Sequence, residues 1–202
     1  MGTRGLTAVI LDGERKIAQY GQWDHYPSGQ GLTVLAFCRD VMADDAKRET
    51  FIANLRRCRF SCDSDVAERK EWLSSIGVDD GWMTMEQGAR FGKRYPLLSR
   101  DHGAKILGLV AAAGDDPIIL DDSWTFGADS LFCEWAYVLD VTAGTIEVYR
   151  GFAKDGSIGR FADLVDKTLE DSKYGPVSLV KTYRISELPT DADFVRDLKV
   201  EK

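Results

Sequence analysis

"GLTAVILDGERKIAQYGQ", residues 5 to 22, decides the fold. Residues 5–11 and 16–22 are β-rich runs, and Asp12-Gly13 between them is the dipeptide that a tight hairpin turn demands, because both central residues of that turn take positive φ. The chain is therefore expected to open with two antiparallel strands. "SLFCEWAYVLD" (130–140) and "VTAGTIEVYRGF" (141–152) read as a second hairpin turning at Ala143-Gly144, and "PVSLVKTYRI" (176–185) as one more strand. Between these lie helical patterns. Leu32, Leu35, Cys38 and Met42 predict a helix over 31–43; Phe51, Leu55 and Cys58 predict one over 45–58. Asp65 and Glu68 open a third, over 65–76, that ends at Gly77. Asp101 caps a fourth over 101–113, and Phe161, Leu164, Val165 and Leu169 mark a fifth over 160–171.

Strands in hairpins at both ends, with helices grouped between, give an α+β class: an antiparallel sheet built from hairpins, with helices packed on it. At 202 residues, with no linker or repeat, the chain fits one globular domain over 1–202, large enough to bury roughly 70% of its unfolded surface. Residues 188–202 read as a polar tail with room for a last helical turn. The glycine-rich stretch 78–98 reads as a mobile flap or, through Trp82, Phe91 and Tyr95, as an interface.

The formal charge of −7 argues against a grip on a nucleic-acid polymer. Lys and Arg cluster between 47 and 70, whereas 115–140 carries seven carboxylates and no Lys or Arg, so opposite faces of unlike charge are expected. No apolar run reaches the ~18 residues of a membrane span. The start lacks a signal-peptide pattern, and the four cysteines are expected to be free thiols in a reducing cytoplasm. Cys58 and Cys62 have no second pair to complete a zinc site, and the acidic loops lack EF-hand spacing, so no metal or cofactor is expected.

The densest chemistry lies in "YGQWDHYPSGQG", residues 20–31. A turn needs a glycine or two; it has no use for Trp23 and Tyr26 bracketing Asp24 and His25. Gly29, Gln30 and Gly31 sit at an expected helix start, where backbone N–H groups favour an anion. Trp23 and Tyr26 offer faces for stacking, Asp24 an acceptor for a ribose hydroxyl or amine, and Arg4 or Arg100 a countercharge. These eight residues outline a site for a small anionic, nucleotide-like ligand. The Walker lysine and the full dinucleotide glycine spacing are both missing.

Those segments, together with "MGTRGL", "SRDHGAKIL" and "EWAYVLD…IEVYRGF", resemble an uncharacterised family of bacteriophage and other microbial proteins whose signature runs aromatic-x-x-Trp-Asp-Gly-Tyr-Pro-x-Gly-x-Gly. The resemblance spans most of the chain and implies a possible phage origin, with no activity attached. His25 stands where that signature has glycine. "MGTRG" is also similar to the Met-Cys-Thr-Arg opening of choloylglycine-type N-terminal-nucleophile hydrolases, which makes an amide hydrolase an alternative; Gly2 offers no nucleophile there, and Thr3 would serve only after trimming. A noncatalytic module that binds a host protein is the third reading.

Overall fold

Asp12 and Gly13 take φ of 53° and 79°, and the first hairpin closes where the sequence predicts it. The computed structural model describes residues 2–79, 81–154, 157–164 and 174–199. In chain order its elements are β1 (Gly5–Leu11), β2 (Glu14–Gly21), α1 (Leu32–Phe37), α2 (Asp45–Arg57), β3 (Cys58–Phe60), α3 (Asp63–Ser75), α4 (Met85–Arg94), α5 (Ile106–Ala111), β4 (Ile118–Leu120), β5 (Trp135–Asp140), β6 (Thr145–Arg150), β7 (Ser178–Arg184) and α6 (Asp191–Asp197).

The main sheet has the order β2-β1-β5-β6-β7. Both predicted hairpins are present, but they meet through a parallel pair, β1 beside β5, in the register Gly5↔Trp135 to Ile10↔Asp140. The expectation of a purely antiparallel sheet is corrected to a mixed one. The physical reason lies in the connection: the helical segment brings the chain back to the end of the sheet where β1 began, so β5 enters in the same direction. β1 is consequently interior and buried at all seven positions, which is why it reads as a near-continuous apolar run, interrupted at Thr7, instead of an alternating one. A second parallel pair, β3 with β4, was not predicted, because three residues each carry no period.

Strand alternation divides the core. Val9, Ile17, Tyr137 and Leu139 face α1, α2, α5 and α6, whereas Leu6, Ala8, Ala18 and Val138 face Trp124 and Phe161. The helices thus cover one face and loops cover the other. Asn54 of α2 is buried and donates to the carbonyls of Val110, Ala111 and Ala113, satisfying the open C-terminal end of α5.

Several boundaries differ from expectation. The helical path through α1 starts at Pro27 and runs to Met42, because wide π-type turns (27–31 and 38–42) extend it at both ends. Residues 78–98, expected to be irregular, contain α4, opened by a reciprocal cap between Thr84 and Gln87. Phe91 and Tyr95 of α4 pack on Trp72 of α3. The stretch read as a polar tail includes α6, whose Phe194 is fully buried against Tyr183. Of the helix predicted over 160–171, residues 165–171 lie outside the described residues; the turn before them buries Phe161 in a stack on Trp124 at 4.2 Å.

Arg160 closes the loop-covered side. Its guanidinium bridges Asp140 at the end of β5 and Glu147 of β6, whose side chains are only 11% and 13% exposed, and Tyr149 Oη donates to Glu147 at 2.6 Å. Arg160→Ala strands two nearly buried carboxylates. Because the guanidinium itself is one-third exposed, the expected loss is about 2–3 kcal/mol rather than the full cost of a broken buried pair. Urea unfolding of the two proteins checks it.

Candidate functional site

The loop 22–31 leaves the sheet at Gly21, which pairs with Gly5 on β1. The His25 ring lies over these two glycines and is 0% exposed. A Cβ on Gly21 would fall 1.8 Å from the ring, and one on Gly5 would fall 2.5 Å from it and 2.2 Å from the Trp135 carbonyl oxygen. The glycines therefore form a notch that the imidazole fills. The main chain holds it there: the His25 N–H donates to Thr3 O (3.0 Å), and buried Tyr137 Oη donates to His25 O (2.8 Å). Neither ring nitrogen has a hydrogen-bond partner among the described residues. Burial holds the imidazole down at about 4, so it is neutral at pH 7.

Asp24 takes φ of +58°, a left-handed conformation open to Asp at modest cost. That twist sends His25 inward while its neighbours face outward: Trp23 is 52% exposed and Tyr26 40%. Tyr26 Oη donates to Asp24 Oδ1 at 3.1 Å, and this contact pushes the phenol up from its ordinary value. Trp23 Nε1 donates to Asp101 Oδ1 at 3.2 Å, with the indole lying against Gly2. Asp101 is thus a partner of the loop and makes no side-chain cap on the helical segment that follows it.

The remaining nominated residues separate. The Gly29 and Gly31 amides donate to Tyr26 O and that of Gln30 to Asp24 O, all within the chain's own turn. Gln30 Oε1 accepts from the Ala104 amide, linking the loop to the segment before α5. Arg100 donates to Gln22 and lies over the Tyr20 ring. Arg4 instead sits on Phe132, 4.4 Å from the ring centre. An open cleft of about 410 Å³ borders the loop, lined by Gln19, Tyr20, Leu98, Arg100, Asp121 and Ser123. Arg100 is the one nominated residue in its wall. Gln19, Tyr20 and Ser123 were not nominated; Gln19 and Tyr20 sit in an ordinary strand pattern that marks no site.

A larger groove, about 770 Å³, lies between α3, α4 and the α5–β4 turn, with Leu97, Leu109 and Ile119 in its wall. Phe91 and Tyr95 are half-buried in the helix pair, which leaves Trp82, 85% exposed, as the outward aromatic of the stretch 78–98. Asp121 and Asp122 are engaged by Arg69 and Arg15. The Thr3 hydroxyl has no hydrogen-bond partner among the described residues. All four cysteines are free; burial pushes the thiols of Cys38 up to about 12 and Cys58 to about 11 and also raises Cys133, while Cys62 is exposed at the start of α3.

No protein-family model, curated protein or solved structure matches this chain. No helix among the described residues is long and apolar enough to cross a membrane.

Two outcomes follow from the notch. His25 binds its proton more weakly folded (about 4) than unfolded (near 6.5), so its contribution is complete above pH 6.5 and is lost as pH falls towards 4, by roughly 3 kcal/mol. The wild type minus His25→Gln difference in unfolding free energy, measured across that window, isolates this loss from the carboxylates. Gly21→Ala is expected to destabilise by about 1–3 kcal/mol through overpacking, and His25→Gly to relieve most of that in a double-mutant cycle. Gly5→Ala stays costly in either background, because its Cβ also meets the Trp135 carbonyl.

Proposed function

We propose that this protein binds a small anionic ligand of nucleotide type in the cleft beside the 22–31 loop. The observation that carries the reading is Arg100: its guanidinium lines the cleft and has no carboxylate partner among the described residues. Next to it in sequence, Asp101 holds the half-exposed Trp23 through the indole N–H. A cation at the wall of a cleft that also holds the Tyr20 ring, with the Asp121 carboxylate of the same wall paired to Arg69, matches a phosphate or carboxylate attached to a planar group. Because the Gly29–Gly31 amides are already donating, the charge falls to Arg100, and Gln19, Tyr20 and Ser123 supply polar groups around it. The phage-family likeness of the loop signature and a cytoplasmic setting, supported by four unpaired thiols, belong to the same proposal.

Thermal-shift and calorimetric titration with AMP, ADP, ATP and inorganic phosphate test it. A ligand at a hundred times its Kd stabilises by about 2.7 kcal/mol, which a melting scan resolves. Arg100→Ala is expected to weaken binding at least tenfold, about 1.4 kcal/mol, and Trp23→Ala to weaken the nucleotides but not phosphate. A wild-type melt unmoved by all four compounds overturns the reading.

A further inference from the structure

We infer that the end of the sheet from which the 22–31 loop departs is a docking shelf for a protein partner, and that it takes a segment bearing carboxylates among apolar side chains. This goes beyond the cleft reading and, Trp23 apart, uses different residues.

The shelf follows from register. Gly21, Gly5, Trp135, Arg150 and Ser178 are successive partners in one row across all five strands. The segments beyond that row are laced side by side through the main chain. His25 N donates to Thr3 O, Glu134 N to Arg4 O, Gly151 N to Glu134 O, Phe152 N to Ser130 O, and Gly175 N to Ala153 O. With strands about 4.8 Å apart, five segments make a ledge roughly 20 Å across, the length of about six extended residues.

Large apolar side chains stand exposed on this ledge: Trp23 at its β2 side, Phe132 (43%) and Leu131 (38%) before β5, and Phe152 (46%) after β6. Two of the three non-glycine residues with positive φ among the described residues, Asp24 and Phe152, are here as well. For a bulky residue such as Phe152 that conformation costs free energy; its ring packs edge-on against Tyr174, 6.1 Å between centres, and is still 46% exposed.

Charge identifies the occupant. In a chain of net charge −7, with surplus carboxylates, Arg4, Arg150 and Lys154 have no carboxylate partner among the described residues. Each lies on an aromatic ring instead: Arg4 on Phe132, Arg150 on Trp135 at 5.9 Å, and Lys154 on Tyr174 at 5.5 Å. Ring contacts preorient the cations and leave their N–H donors for an incoming carboxylate. Exposed Trp23, Phe132 and Phe152 beside half-buried Arg4 and Arg150 have the composition of a protein-contact centre. A nucleic-acid strand fits less well, since the cations already cover ring faces that bases would need.

The experiment is selection from a display library of random dodecapeptides on the immobilised full chain, followed by fluorescence anisotropy of the winners. Enrichment of peptides combining Asp or Glu with Trp, Phe or Leu is expected. Their affinity should fall at least tenfold in Arg4→Ser and Arg150→Ser, and to a lesser extent in Lys154→Ser, where the side chain is exposed, with melting curves confirming that each variant is folded. Failure to enrich, winners without acidic residues, or affinities unchanged in all three variants overturn the proposal. Tighter binding of a 15-nucleotide oligo-dT, lost in the same variants, overturns it in favour of nucleic acid. Nucleotide titration does not depend on the shelf substitutions, so the cleft and the shelf fail separately.

Discussion

A single imidazole set in a notch between two strand glycines fixes the part of the molecule that matters most. Gly5 and Gly21 lack the Cβ atoms that would collide with His25, and the ring in turn fills space that would otherwise open at the edge of the core. Because the loop is anchored from inside, through His25 and the main-chain contacts to Thr3 and Tyr137, Trp23, Asp24 and Tyr26 can stand in solvent. Burying an unpartnered imidazole is unfavourable, and the packing around it must more than offset that. Fully buried and neutral at pH 7, His25 is seen in this structure as the filler of the notch.

Local chemistry was legible in the sequence wherever it determined local structure. Asp12-Gly13 and Ala143-Gly144 gave away the hairpins, and the spacing of Phe51 and Leu55 the longest buried helix, because backbone conformation and burial period act within a few residues. The parallel junction of β1 with β5 depends instead on where more than a hundred intervening residues return, and no short-range pattern encodes that. The one clue was the near-continuous apolar run of residues 6–11, interrupted only at Thr7, which implies two covered faces. Thr84 with Gln87 is a reciprocal cap that sequence could have exposed; the weak periodicity around it hid α4.

The loop was legible as unusual, and its individual roles were not. Its glycines were assigned to anion binding because a helix start usually leaves amides open, yet here the wide first turn folds those amides back onto Tyr26 and Asp24. Arg4 and Arg100 looked interchangeable as countercharges. Only the strand order separates them, taking one to Phe132 and the other to the wall by Tyr20. The expected contrast of basic and acidic faces is also reduced by pairing, as Arg69 and Arg15 engage Asp121 and Asp122.

The thiols carry a practical consequence. Three are sealed in the interior and poorly ionised, so alkylating reagents that require thiolate will pass over them while the native structure holds. Cys62 alone is open to solvent, and it stands next to Ser61, which lines the larger groove under α3 and α4. The natural sequence thus supplies its own attachment point for a fluorophore or spin label, placed to sense anything that enters that groove, with no engineered cysteine needed.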